Sequence, residues 1–280
     1  MHLPLRVAPL SSPVRAASSA AEGLAAECLR GNGLKRYTPS VTTGVRPKAL
    51  AVRIEAALRA HADPVRARGA RAYLKSEWEF IGVTAPVFRR AIKAELVATP
   101  LGDRKTLLAT VLALWAHDVF ELRAAAVELL DMHGALLLPT DLTLVERLIR
   151  ESHTWALVDG LAAHVAGSIV ERHPARARTL DRWARDRDFW LRRSAMLALL
   201  VPLRRGGGDF ERFARYADAM LEEREFFVRK AIGWVLREVS KKRPALVSDW
   251  IAPRLHRASG VTRREALKYL PSAFYPRRPA

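Results

Sequence analysis

Aromatic residues recur at a nearly fixed interval in the second half of this chain, and each opens a run rich in Ala and Leu. Phe120-Glu121-Leu122-Arg123-Ala124, Trp155-Ala156-Leu157-Val158-Asp159, Trp190-Leu191-Arg192-Arg193-Ser194 and Phe227-Val228-Arg229-Lys230-Ala231 place their rings 35, 35 and 37 residues apart. Counting 35 back from Phe120 reaches Ala85 beside Pro86, and counting 35 on from Phe227 reaches Thr262, ahead of Arg263-Arg264-Glu265-Ala266-Leu267. A period of this size, with two helices per unit, is the mark of an α-solenoid, in which each unit buries its apolar face against its neighbours.

Start and stop signals fall where such a repeat needs them. Pro139-Thr140-Asp141 caps a helix over Leu142 to Glu151, and His173-Pro174 opens one that reaches Ala184. Gly206-Gly207-Gly208-Asp209 precedes a helix over Phe210 to Glu223, and Arg243-Pro244 precedes one over Ala245 to Ile251. Upstream, Ala49 to His61 is amphipathic. Asp63-Pro64 reads as an N-cap with proline in the first helical position, starting a helix that runs through Tyr73 and ends before Trp78. Thr84-Ala85-Pro86 restarts a helix to Val97, broken by Thr99-Pro100. The expected fold class is all-α: an α-solenoid of stacked helical hairpins, HEAT-like repeats, with a concave basic groove.

Residues 1–48 read differently. They are rich in Ala, Ser, Pro and Arg, and the short helical stretch Ala20 to Leu29 has no partner face beside it. They form a basic, mostly disordered leader, and residues 49–275 form the helical-repeat domain.

Lys and Arg number 47 against 29 Asp and Glu, a formal charge of +18. A bias toward Arg over Lys does not explain the shortage of acids, so the field points to a polyanionic partner, foremost nucleic acid. No stretch approaches the roughly 20 apolar residues that cross a membrane. The single cysteine, Cys28, excludes an intrachain disulfide or a four-thiolate metal site. With no secretory signal in Met1 to Leu10, the expected location is cytoplasmic.

The chain carries no Gly-rich phosphate loop, no His-Glu-x-x-His, no Cys-x-x-Cys and no Gly-x-Ser-x-Gly. His117, His133, His153, His164 and His173 are scattered and read as loop or cap residues, so no metal is expected. What remains is a set of aromatic and charged residues at equivalent places in successive units: Trp155 with Asp159, Trp190 with Arg193, and Lys230 with Trp234. Trp155 and Asp159 lie four apart and share a helix face. Equivalent positions in stacked units lie ~10 Å apart, so Asp159, Arg193 and Lys230 face one groove, a lone acid among bases. Trp115, Trp183 and Trp250 read as core. For Asp159 two readings stand level, a catalytic carboxylate and a salt bridge to an arginine of the next unit.

Four strings resemble the AlkD-like DNA alkylation repair family of HEAT-like-repeat DNA glycosylases. They are Trp155 to Ala162, Trp190 to Ala195, Phe226 to Glu238 and Arg263 to Lys268. Tyr73-Leu74-Lys75 and Phe80 to Pro86 resemble the family's first repeat. The resemblance spans about residues 50 to 270, and Ala231-Ile232-Gly233-Trp234-Val235-Leu236-Arg237-Glu238 is its most specific element. It implies an N-glycosylase that removes purines alkylated at N3 or N7 from double-stranded DNA and needs no metal or organic cofactor. With no lysine nucleophile in the Asp159 position, the enzyme is expected to be monofunctional and to leave an abasic site, and the chain is expected to act as a monomer. By the same resemblance Asp159 is the catalytic carboxylate, Trp155 and Trp234 the aromatic residues at the lesion, Arg193 the DNA-contacting arginine of the cleft, and Tyr73 a tyrosine near the site. Trp190 and Lys230 join the expected DNA-binding set.

The chemistry suits these residues. A cationic alkylpurine is already a good leaving group, so the protein has mainly to stabilise an oxocarbenium-like sugar, which a carboxylate near C1′ does while also orienting water. Aromatic faces hold the cationic base, and Arg193 and Lys230 grip phosphates without reading sequence. The charge and the repeat alone also fit a non-catalytic module that binds nucleic acid, or a scaffold for acidic proteins. Neither of these needs a carboxylate in the groove.

Overall fold

The computed structural model describes residues 46–274. The leader expected over residues 1–48 therefore lies, but for residues 46–48, outside the described part. The described chain is helical, and its only β pairing is an isolated bridge between Glu79 and Val119. No helix among the described residues is long and apolar enough to cross a membrane.

The N-terminal helices follow their sequence signals closely. Helix α1 (Pro47–Arg59) starts on a proline in the first turn and buries Leu50, Ile54 and Leu58, four apart on one stripe. In α2 (Pro64–Leu74) the Asp63 carboxylate accepts from the backbone N–H of Val65 and Arg66, and the helix ends at Lys75 in the left-handed conformation. Helix α3 (Ala85–Ala98) buries Phe88, Ile92 and Leu96. Helix α4 (Arg104–Trp115) is capped by Asp103, which takes the Thr106 N–H, and it packs on α1.

From Phe120 the hairpins stack in two layers. One layer holds α5 (Phe120–Met132), α7 (Trp155–Gly160), α10 (Phe189–Leu197), α13 (Phe226–Ser240) and α15 (Gly260–Leu267). These helices begin near the residues that the aromatic spacing marks, and each packs on the next. A π-helical segment, Leu161–Ala166, extends α7 into α8 (Gly167–Arg172). The other layer holds α6 (Leu142–Glu151), α9 (Ala177–Trp183), α12 (Phe210–Ala219) and α14 (Pro244–Ile251), and α11 (Leu200–Arg204) links α10 to α12. Trp115, Trp183 and Trp250 are buried, as the sequence pattern implies. Trp115 and Trp183 use their indole N–H groups to donate to Glu151 and Glu146.

The polar contacts carry the same period. Arg104 bonds Asp141, Arg150 bonds Asp186, Arg205 bonds Glu171, Arg254 bonds Asp218 and Arg257 bonds Glu222, and each partner lies 34 to 37 residues away. Most of these pairs are partly exposed, so each contributes about 0–1 kcal/mol and serves register more than stability.

Helix α13 approaches α15 closely at Gly233, where an added Cβ would sit 2.8 Å from the Thr262 carbonyl oxygen and 2.6 Å from the Glu265 Cβ. Gly233→Ala must push the last hairpin outward. It is expected to cost ~1–3 kcal/mol, read as a lower urea midpoint at unchanged slope. A midpoint equal to the parent's would mean that this contact does not constrain the stack.

Candidate active site

Asp159 is 4% exposed and Arg193 is 2% exposed. They meet across the α7–α10 interface in a fork-to-fork ion pair: Nε donates to Oδ1 and Nη2 to Oδ2, each at 2.8 Å. The third guanidinium nitrogen, Nη1, donates to the Phe227 carbonyl at 2.6 Å. One arginine thereby ties three consecutive units together. A bidentate pair of this kind fixes the carboxylate plane as well as its charge.

Local sequence sets this geometry. Ser152 donates from Oγ to the Leu148 carbonyl, His153 turns the chain with φ 47°, and Thr154 caps α7 by accepting the Ala156 N–H. Trp155 and Asp159 then follow one helical turn apart. At Gly160 a Cβ would stand 2.9 Å from Val127 Cγ1, so the glycine lets α5 lie close beneath the carboxylate. The π turn begins at the next residue. Such single π turns insert an extra residue into a helix and recur at functional sites.

Aromatic rings extend the site on both sides. The half-buried Trp155 meets Tyr73 of α2 edge-on, with centroids 6.3 Å apart and planes at 83°. The half-buried Trp234 of α13 lies 5.9 Å from the Arg193 guanidinium carbon. Tyr73, Trp155, Asp159, Arg193 and Trp234 thus form one connected line drawn from four helices.

Three sequence expectations are revised. Arg193 was expected to grip phosphate, yet its guanidinium is buried and its donors go to Asp159 and Phe227, so it acts as the carboxylate's partner in this structure. Trp190, expected on the DNA side, is 7% exposed and packs against Phe189 and Phe227, with centroids 4.5 and 4.9 Å away. It belongs to the aromatic support beneath Arg193. His164 is neither a loop nor a cap residue but lies within the π segment. Lys230 stays at the edge of the site, its Nζ 5.9 Å from the ring of the exposed Phe226.

Glu121 carries a role that the sequence reading missed. Its carboxylate, 3% exposed, accepts from the N–H groups of Ile81 at 2.9 Å and Gly82 at 2.7 Å, and burial pushes its pKa up. With Phe80 stacked on Phe120, it clamps the segment that follows Tyr73 onto α5. An acid in the first turn of a helix is a common sequence event, so nothing in the chain marked this one.

A model of the DNA alkylation repair enzyme family matches residues 54–270. The chain belongs to this family. Among solved structures, a predicted DNA alkylation repair enzyme from Enterococcus faecalis is 24% identical, with 76% of this chain and 98% of that one covered at a TM-score of 0.68. AlkD2 from Streptococcus mutans is 18% identical, with 66% and 91% covered at a TM-score of 0.50. At these identities the likeness is one of fold, and it covers the helical-repeat body on which the site is built. No match was found among curated proteins.

The ion pair should dominate local stability. Removing one member of a buried pair strands the other charge, so Asp159→Ala is expected to cost ~3–5 kcal/mol by urea denaturation. A loss under about 1 kcal/mol would show that Arg193 finds water or another acceptor.

Farther along the same helix, burial and the nearby Arg204 charge hold the pKa of His164 down at about 4, while partial desolvation of the Asp131 carboxylate, whose side chain is 41% exposed, pushes its pKa up to about 6. His164 Nδ1 lies 3.8 Å from Asp131 Oδ2, too far for a hydrogen bond, and a neutral imidazole makes no ion pair there. The unfolded chain takes up a proton at His164 first, so this residue costs stability as pH falls from about 6.5 toward about 4. Asp131 binds its proton more tightly when folded and opposes that loss as pH falls from about 6. Asp131→Asn is therefore expected to steepen the fall in Tm between pH 6.5 and 4. An unchanged Tm–pH curve would contradict the assignment.

Proposed function

We propose that this protein is a monofunctional DNA glycosylase that excises cationic alkylated purines, modified at N3 or N7, from duplex DNA and leaves an abasic site. The observation that carries the reading is the Asp159 carboxylate, held in a fixed plane by Arg193, with Trp155 one helical turn away and Trp234 packed beside the Arg193 guanidinium. Membership of a DNA alkylation repair family supports alkylated DNA as the substrate. The chain's own residues supply the chemistry.

In this reading the C1′–N bond breaks first, and its electron pair leaves with the base, cancelling the positive charge of the alkylated ring. The sugar becomes oxocarbenium-like, and the Asp159 carboxylate stabilises that charge at short range in a water-poor setting. A water oxygen then bonds to C1′, its proton passing to Asp159 or to bulk water. The departing base needs no acid, consistent with the single carboxylate at this point. Trp155 and Trp234 offer π faces to the cationic base or sugar, at ~0.5–2 kcal/mol each. Arg193 is a positioning residue, since it holds the carboxylate rather than the substrate. Tyr73 braces Trp155 from α2, and Lys230 with Phe226 meets the DNA at the rim.

One observation favours a second reading. Both Asp159 oxygens are already engaged by Arg193, as they would be in a purely structural joint of a nucleic-acid-binding repeat. The two readings separate on a duplex containing N7-methylguanine, scored for free base and alkali-labile sites. Asp159→Asn keeps the side-chain shape and is expected to lower single-turnover base release ~10²–10³-fold while leaving duplex affinity within a few-fold of the parent. Trp234→Ala is expected to lower release ~2–30-fold, the equivalent of ~0.5–2 kcal/mol. If the parent protein releases no base from any cationic purine, the structural-joint reading takes its place.

A further inference from the structure

Away from the carboxylate, the layer of α6 and α9 carries an open depression of about 990 Å³ where these helices meet the loop 184–188. Five arginines and three aspartates line it. The aspartates are already committed. Asp181 accepts from Tyr216 and Arg212, Asp186 from Arg150, and Asp188 caps α10 through the Trp190 N–H. Two of the arginines are committed as well, Arg150 to Asp186 and Arg182 to Glu146.

Three guanidinium groups are left over. Arg178, Arg185 and Arg187 are exposed, and none has a side-chain hydrogen bond or ion pair with the described residues. Many arginines of the solenoid pair with acids one unit away; here three unspent guanidinium groups line one depression whose acids are already satisfied, a local surplus of positive charge. The depression is shallow and open, which suits a chain of charges running across it rather than an enclosed small anion. The loop 184–188 leads directly into α10, the helix that carries Arg193.

The geometry points to a second nucleic-acid contact: Arg178, Arg185 and Arg187 bind the phosphodiester backbone outside the layer that carries Asp159. This inference rests on the DNA reading above and extends it. A strand lying here contributes affinity with no base information, since guanidinium groups read phosphate geometry and charge. It anchors DNA on the far side of α10 from the carboxylate.

The test uses the full-length chain carrying Arg178→Gln, Arg185→Gln and Arg187→Gln together. All three side chains are exposed, and circular dichroism checks that the variant keeps the fold. Binding to an undamaged duplex is measured from low to moderate salt. Each lost phosphate contact lowers the slope of log K against log salt by about 0.9, so two or three lost contacts lower it by roughly 2 to 3. A control triple at Lys48, Arg90 and Lys93, exposed on α1 and α3, removes the same charge elsewhere and is expected to change the slope by less than half as much. A slope unchanged in the depression variant, or lowered equally in both triples, overturns the contact.

Base release from N7-methylguanine duplex at saturating protein and low salt is expected to match the parent in the depression variant. Asp159→Asn should show the opposite pattern, with release lost and slope retained. A protein that binds with the full slope change but never releases base leaves the contact standing and sinks the glycosylase reading alone.

Discussion

A carboxylate and a guanidinium withdrawn almost wholly from water sit at the interface of two stacked hairpins, and neither is tolerable there without the other. Desolvation makes each charge costly, and only the two short bonds between Asp159 and Arg193, with the third to the Phe227 carbonyl, offset that cost. The pair therefore demands one register between α7, α10 and α13. A slip of a single residue would leave a buried charge facing apolar side chains. The exposed arginine–acid pairs along the rest of the solenoid repeat the same spacing with far less at stake.

The charge balance follows from this ladder. Acids are scarce, and many of them are bound to arginines one unit away, so the excess cations stay on the surface. A positive field distributed along a stacked repeat attracts a long polyanion and places it against the layers without specifying a sequence. In the proposed function, recognition of a particular base falls to the short line of Tyr73, Trp155, Asp159 and Trp234. There aromatic faces and a single carboxylate suit a cationic ring better than a neutral one. The unspent arginines of α9 and the loop 184–188 extend the field past that line.

Close approach also shapes the site. Gly160 and Gly233 admit neighbouring helices at distances a side chain would forbid, and the π turn after Gly160 alters the helix directly behind the catalytic candidate. Glu121 and the Phe80–Phe120 stack hold the N-terminal helices against α5, which keeps Tyr73 on Trp155. The site is built from four helices, and its geometry depends on contacts made well away from it.

The sequence by itself determined the helical class and the approximate starts of the stacked helices. Turn chemistry and the spacing of Phe120, Trp155, Trp190 and Phe227 are local properties, and stacking obeys them. It also singled out Asp159, because a lone acid beside a ring in a basic repeat is visible in one dimension. It did not separate a catalyst from a salt bridge, nor tell Trp190 from Trp234, since both are tryptophans near the start or middle of helices of the same layer. Only the tertiary structure decided that Trp190 is buried among phenylalanines and Trp234 half open, and that Arg193 faces the carboxylate instead of solvent. It also placed His164 in a π turn and turned Glu121 onto a backbone 39 and 40 residues away. The physical reason is the same in each case. Burial and partner choice depend on how helices rotate about their axes when they pack, and a rotation of one residue's arc changes a side chain's surroundings while leaving the sequence pattern intact.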